Sequence, residues 1–257
     1  AQTILPNRFG AESVPEKIRI GCIVPSLNVV AEDNFIRMSE AYAAHHPALG
    51  VHFARADVGR TQPLEEQFQG MVDNAPLLGK SLASAGVSVV AFACTSASLF
   101  KGPGFDLTIA QAITQQTGLP SVCTASAVLE ALTALKVKRV AVATPYVEWV
   151  YAAERDFLEA GGFEVTAING LGRQGGKDTN TVSSGDIFEL VEDVMNDEAE
   201  ALFVSCTDLP SLEMISRLEE KYQRPVITSN QATFWRCAKI LGLGSFEGFG
   251  QLMVDCL

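Results

Sequence analysis

Short apolar runs alternate along the chain with longer segments of mixed polarity. Eight of these runs have the length and continuous apolar character of buried strands, at 18–25, 51–58, 87–94, 120–124, 139–145, 163–170, 201–206 and 225–230. Helix-like segments lie between them, at 31–44, 65–84, 106–117, 126–135, 147–160, 185–196, 210–221 and 231–241. Strands without a polar face are typical of parallel sheets covered by helices on both sides. The alternation therefore predicts a parallel α/β fold.

Two segments in the second half of the chain repeat segments of the first half. The run "VSVVAFACTSAS" (87–98) matches "AEALFVSCTDLPS" (199–211), and "LPSVCTASA" (119–127) matches "RPVITSNQA" (224–232). All βαβ units share a general likeness, so such matches also arise without duplication. A Cys-Thr pair at the same strand end in both halves favours an internal repeat, and we expect two similar α/β lobes.

Cys94 and Cys206 are the corresponding cysteines of this repeat. Each follows an apolar strand, and open parallel sheets bind their ligands at the carboxyl ends of strands. Two facing lobes would place the two thiols on opposite walls of one cleft, so we predict both as catalytic residues. The hydroxyl groups of Thr95, Ser96 and Thr207 follow directly and are predicted to donate hydrogen bonds to a bound carboxylate.

Asn28 and Tyr146 also stand just past a strand and are predicted to bind substrate in the same cleft. Asn28 has an alternative role as the cap of the helix that follows, and Tyr146 as a buried core residue. The remaining cysteines are expected to be small core residues; they are Cys22, Cys123, Cys237 and Cys256.

Composition and charge narrow the class of protein. The chain is 47% hydrophobic and 19% charged, as is ordinary for a globular protein. A net charge of −11 argues against nucleic acid and anionic membranes as partners. The six cysteines contain no C-x-x-C pair, which indicates free thiols in a reducing cytoplasm and argues against a metal site. The expected partner is a small carboxylate or dicarboxylate.

Five motifs together resemble one known family. They are "VPSLN" (24–28), "ACTSAS" (93–98), "TPY" (144–146), "SCTDL" (205–209) and "PVITSNQATFW" (225–235). These motifs are similar to those of the maleate cis–trans isomerases, which belong to the aspartate/glutamate racemase superfamily and have the arylmalonate decarboxylases as near relatives. The resemblance extends over nearly the whole chain, from about residue 17 to 250.

The resemblance implies a fold of two pseudo-symmetric lobes, each a parallel sheet flanked by helices, with the active site in the cleft between them. Residues 1–117 and 229–257 would form the N-terminal lobe, with 1–16 as an irregular arm, and residues 118–228 would form the second lobe. It also implies that no metal or organic cofactor takes part, and it suggests a homo-oligomer.

The resemblance further implies a mechanism. The Cys94 thiolate would add to an alkene carbon of maleate, and the resulting single bond could rotate before Cys94 leaves. Cys206 would act as acid and base on the neighbouring carbon. Asn28 and Tyr146 match family positions that bind the substrate carboxylates.

This sequence departs from the family pattern at two places. Relatives tend to carry Asn after the second Cys-Thr, where this chain has Asp208, a carboxylate that is unfavourable beside a dianionic substrate. The family also takes a substrate-binding Asn from the loop before the helix near residue 185. Asn180 is our candidate and Asn169 the second choice. The Gly-rich segment 170–185 is predicted to act as a lid.

Two other functions remain open at this point. A two-base cysteine racemase or epimerase of an amino acid, hydantoin or related carboxylate would use one thiol to remove an α-proton and the other to return it. A non-catalytic carboxylate-binding protein would need neither thiol. A decarboxylase is disfavoured because the arylmalonate relatives use a single cysteine.

Overall fold

The computed structural model describes residues 17–59 and 61–257. The predicted irregular arm, residues 1–16, lies outside the described residues. No helix within the described part of the chain is both long and apolar enough to cross a membrane.

The strands form two four-stranded parallel sheets, as the sequence predicts. The first sheet has the order β2-β1-β3-β4 and the second β6-β5-β7-β8. The strands are β1 Ile18–Pro25, β2 Leu49–Ala56, β3 Val89–Phe92, β4 Ser121–Cys123, β5 Arg139–Tyr146, β6 Glu164–Arg173, β7 Ala201–Val204 and β8 Val226–Thr228. All eight predicted strands are confirmed, with ends that differ by a few residues.

Helices connect the strands and cover the sheets. They are α1 Val30–Ala43, α2 Leu64–Ser84, α3 Thr95–Leu99, α4 Phe105–Thr117, α5 Thr124–Ala134, α6 Glu148–Ala160, α7 Lys177–Asn180, α8 Ser184–Val194, α9 Ile215–Tyr222, α10 Ser229–Ile240 and α11 Gln251–Asp255. A 3₁₀ turn, Leu212–Met214, precedes α9. The short helices α3, α7 and α11 were not predicted, because four or five residues carry too little periodicity to be recognised in a sequence.

The identical strand order gives both sheets the same topological switch point. In each sheet the second strand in chain order lies on one side of the first strand, and the third and fourth strands lie on its other side. The switch points therefore lie between β1 and β3 and between β5 and β7, where ligands bind in open parallel sheets. Cys94 follows β3 and Cys206 follows β7, so both cysteines stand at a switch point.

The predicted boundary between the lobes lies too early. Strand β4 pairs with β3, with Val90 opposite Ser121, so the first sheet extends to residue 123. The matched segments 119–127 and 224–232 each supply the last strand of their own sheet. The predicted bounds divide the chain after residue 117, at the end of the predicted helix 106–117. They therefore place the first of these segments in the second lobe. Helix α10 packs against α1, α5 and β3, so the chain returns to the first lobe after β8.

Gly170 occupies a position in the sheet where a side chain would collide with neighbouring residues. It lies in β6 beside the end of β5, and a Cβ there would collide with the Tyr146 carbonyl oxygen and approach a ring carbon of Tyr151 to 2.8 Å. Tyr146 is a predicted site residue, so the close approach of these two strands positions part of the site.

We expect Gly170→Ala to lower the free energy of unfolding by about 1–3 kcal/mol, because the added methyl forces β5 and β6 apart. Gly70→Ala in α2 is the matched control: nothing lies within 4 Å of its added Cβ, and helix propensity should raise stability by about 0.5–1 kcal/mol. Urea unfolding measures both. Equal stability of the two variants would contradict the strand packing described here.

Candidate active site

A cavity of about 230 Å³ opens at the carboxyl ends of the central strands of both sheets. Cys94 and Cys206 both line it, and both are buried. The structure therefore brings together the two thiols that the internal repeat singles out. Asn28, Ser96 and Tyr146, all predicted to bind substrate, line the same cavity.

The two cysteines reach the cavity from different backbone conformations. Cys94 is extended, with φ −146° and ψ 112°, and immediately precedes α3. Cys206 has φ +97°, a value that favours glycine and costs about 1–3 kcal/mol in other residues. Its N–H donates a hydrogen bond of 2.9 Å to Ser229 Oγ at the start of α10. Backbone strain is thus concentrated at one of the two predicted catalytic residues.

The threonines that follow the cysteines connect the two lobes. Thr95 Oγ1 donates to Ser229 Oγ at 2.9 Å, and Thr207 Oγ1 donates to the carbonyl oxygen of Ala93 at 3.2 Å. Thr207 lines the cavity, whereas Thr95 does not. The Thr95 hydroxyl is thus engaged by Ser229, and the structure does not place it among the residues that line the cavity.

Asn28 combines both of the roles that the sequence allows. Its Oδ1 accepts a hydrogen bond of 2.9 Å from the N–H of Ala31, in the first turn of α1. Its Nδ2 donates to Thr207 Oγ1 at 3.0 Å. The amide nitrogen carries two hydrogens, so one N–H is left to point at a ligand in the cavity it lines.

The loop after β6 contributes to the cavity, but through other residues than predicted. Arg173 and residues 174–176 line it. Asn180, the predicted ligand, does not line it; its side chain lies near Asp208 and acts to lower the pKa of that carboxyl. Asn169, the second choice, is exposed, and its Oδ1 accepts from the N–H of Gly170. Asn180, later in the loop, lies near Asp208 after β7 and does not reach the cavity.

Sequence reasoning missed the apolar half of the cavity. Six apolar residues line this part, from the first lobe: Pro25, Leu27, Val58, Leu64, Phe68 and Met71. The helical period of α2 places three of them on one face. That period signals a buried face, but it does not distinguish a core from a cavity wall.

Burial controls the ionisation of both thiols. Desolvation raises the pKa of Cys94 to about 11, against hydrogen bonds from the N–H of Ala97 and the hydroxyl of Ser96, and the charge of Asp208 adds to the rise. Desolvation also raises the pKa of Cys206 well above its usual range, with the Asp208 charge next and a Tyr146 hydrogen bond opposing. Both thiols are protonated at neutral pH before a ligand binds.

A buried acid lies behind Cys206 in the second lobe. Glu154 accepts a hydrogen bond from the Ser205 hydroxyl, and burial raises its pKa to about 7. Its charge contributes to the raised pKa of Tyr146, after the larger effects of desolvation and Cys206. No signal in the sequence points to this acid, because Glu154 lies within an amphipathic helix of ordinary pattern.

The described residues contain no group of three or more His, Cys, Asp or Glu side chains arranged to hold a metal ion. The titratable groups that line the cavity include the two thiols, the Tyr146 hydroxyl and the Asp208 carboxyl.

Two parallel sheets of the same strand order, each followed by a cysteine that lines one shared cavity, define the two-lobed α/β architecture of this enzyme. The chain belongs to the arylmalonate decarboxylase family, whose family model matches residues 42–253.

Individual relatives cover most of the chain. It is 28% identical over 234 residues to the maleate isomerase of Alcaligenes faecalis, which covers 88% of this chain and 91% of that protein. The arylmalonate decarboxylase of Bordetella bronchiseptica is also 28% identical, over 204 residues that cover 78% and 85%. The structure is similar to that of a mutant of Nocardia farcinica maleate cis–trans isomerase with a covalently bound succinylcysteine intermediate, with a TM-score of 0.85, 25% identity and coverage of 92% and 98%.

The raised pKa of Cys94 predicts slow alkylation at neutral pH. An ordinary cysteine has a pKa of about 8.5, so at pH 7.5 Cys94 should hold about 300-fold less thiolate. We expect its labelling by iodoacetamide to increase about tenfold for each pH unit from 7 to 10, measured peptide by peptide with mass spectrometry.

Cys237 is the matched control, because it is fully buried and lies away from the cavity. It should remain unlabelled throughout this pH range while the protein stays folded. A labelling rate of Cys94 that levels off below pH 8.5 would show that its pKa is not raised.

Proposed function

We propose that this protein catalyses the cofactor-independent cis–trans isomerisation of maleate, or of a similar small cis-alkene dicarboxylate. One observation carries the proposal: a thiol from each lobe, Cys94 and Cys206, lines one small buried cavity beside amide and hydroxyl groups. The succinylcysteine of the structurally similar Nocardia enzyme supports a covalent route through cysteine. Sequence identity is equal for an isomerase and a decarboxylase relative, so the paired thiols decide between them.

The first half of the reaction converts the double bond into a single bond. With substrate in the cavity, the Cys94 thiol first releases its proton to water. The resulting thiolate adds to one alkene carbon, and the π electron pair moves to the neighbouring carbon. The Cys206 thiol gives its proton to that carbon, which leaves a succinyl thioether on Cys94 and a thiolate on Cys206. Addition of a nucleophile in this way replaces one forbidding rotation with two accessible steps.

The second half reverses the first after rotation about the new single bond. The Cys206 thiolate removes a proton from the carbon that it protonated. The electron pair re-forms the double bond in the trans geometry, and the bond between carbon and sulfur breaks. The product is fumarate, Cys94 is again a thiolate and Cys206 a thiol, so no other reactant is consumed.

The neighbouring residues have supporting roles in this scheme. Asn28 directs an amide N–H to one carboxylate, and Ser96 and Tyr146 offer hydroxyl groups beside the two thiols. Thr207 orients Asn28 through its hydrogen bond. Asn180 and Thr95 act through Asp208 and Ser229 instead of touching substrate.

The experiment is proton NMR of maleate incubated with the protein in reducing deuterated buffer. The wild type should produce fumarate, and Cys94→Ala should lower the rate by roughly 10³-fold or more, because the remaining thiol, Cys206, cannot act as nucleophile and as proton donor at once. Cys206→Ala should also remove activity. Cys123→Ala, a change to a buried cysteine outside the cavity, is the matched control and should retain turnover.

Deuterium distinguishes the alternative reaction in the same experiment. Unchanged maleate, together with deuterium entering the α-carbon of aspartate, glutamate or a hydantoin, would contradict isomerisation and establish a two-base racemase. Fumarate formation that survives Cys94→Ala would contradict the covalent mechanism.

A further inference from the structure

Asp208 is an ionisable residue of the cavity that the isomerisation scheme does not use. It lines the cavity and is only 7% exposed. Its Oδ1 is buried and has no hydrogen-bond partner among the described residues. An unpartnered buried oxygen is costly, so a ligand group that can pair with it gains affinity.

The internal repeat shows what is unusual about this position. Ser96 stands two residues after Cys94, and Asp208 stands two residues after Cys206. Corresponding positions of the two lobes thus offer a neutral hydroxyl at one thiol and a carboxyl at the other. Maleate has two identical ends, whereas this site has two different ones.

The surroundings of Asp208 do not cancel its charge. Among the described residues that line the cavity, Arg173 at the end of β6 is the only cation; its guanidinium is half exposed and pairs with Asp178 at 3.0 Å. The titratable groups on the other elements around the cavity are the thiols after β3 and β7 and the hydroxyl of Tyr146 at the end of β5. None of these three carries a positive charge.

Asp208 changes its ionisation state within the pH range in which enzymes usually work. Burial raises its pKa to about 7, while the N–H of Gly176 and the side chain of Asn180 act in the opposite direction. Below this pH the neutral Asp208 carboxyl can donate a hydrogen bond to a substrate carboxylate. Above it the carboxylate repels a second anion and pairs with a hydrogen-bond donor.

We propose that Asp208 selects a substrate with two unlike ends, a cis-alkene carrying a carboxylate at one end and a hydrogen-bond donor, such as a carboxamide, at the other. This inference rests on the proposed isomerisation and names its substrate class. The carboxamide N–H groups would pair with the Asp208 carboxylate. The amide carbonyl would also accept negative charge during the addition of Cys94 more readily than a carboxylate that is already anionic.

The test compares maleate with its monoamide, maleamate, for the wild type and Asp208→Asn at pH 6.5 and pH 8.5. At pH 8.5 the wild type should show a kcat/KM for maleamate on the order of 100-fold above that for maleate, because the wrong partner leaves a buried charge unpaired. Asp208→Asn should shift this ratio about 100-fold toward maleate. Between pH 8.5 and pH 6.5, the ratio of kcat/KM for maleamate to kcat/KM for maleate should fall more in the wild type than in Asp208→Asn. Ionisation of the substrates is the same for both proteins and cancels in this comparison.

Asp73→Asn is the matched control, since it removes the same charge from an exposed position on α2. It should leave the substrate ratio unchanged. A wild-type preference for maleate at pH 8.5 that Asp208→Asn does not alter would overturn the inference and leave the proposed function intact.

Binding of the saturated analogues succinate and succinamate, measured by calorimetry, separates the two ideas further. If neither alkene is isomerised but succinamate binds more tightly to the wild type and loses this advantage in Asp208→Asn, selection by Asp208 holds and the proposed reaction fails. If neither alkene is isomerised and both analogues bind the two proteins equally, both proposals fail.

Discussion

The hydroxyl of Ser229 is the single point on which the geometry of the site depends. It accepts hydrogen bonds from Thr95, which follows the first cysteine, and from the backbone N–H of Cys206. One oxygen therefore holds the segments that carry both thiols, and it satisfies a backbone donor in a residue with positive φ. Strained conformations persist only where their surroundings determine them, and Ser229 supplies that determination here.

The symmetry of the fold and the asymmetry of the site have separate origins. The strand order of the two sheets is the same, so each lobe brings a cysteine to its own switch point. The differences lie in the residues around the thiols: Ser96 against Asp208, an extended Cys94 against a strained Cys206. The shared strand order places one thiol at each switch point, and the different neighbouring residues give the two thiols different surroundings.

The sequence predicts the fold and the central pair well, because both leave periodic or repeated signals. Apolar runs mark the strands, and the repeated Cys-Thr marks Cys94 and Cys206. It predicts less well which atoms face the cavity. Thr95 and Thr207 look equivalent in sequence, yet Thr95 bonds to Ser229, 134 residues away, and only Thr207 lines the cavity. Likewise, burial raises the pKa of Asp208, while Gly176 and Asn180, which only the folded loop brings near, act to lower it.

The return of α10 to the first lobe has a consequence for how the protein is made. Helix α10 packs against α1 and α5, which are synthesised more than ninety residues earlier. A nascent chain that has completed β4 and α5 still exposes the apolar surface that α10 covers, and it does so until α10 has left the ribosome. Such surfaces are where incomplete chains associate wrongly. The first lobe begins to fold early, but it can be completed only after the strands of the second sheet have been synthesised.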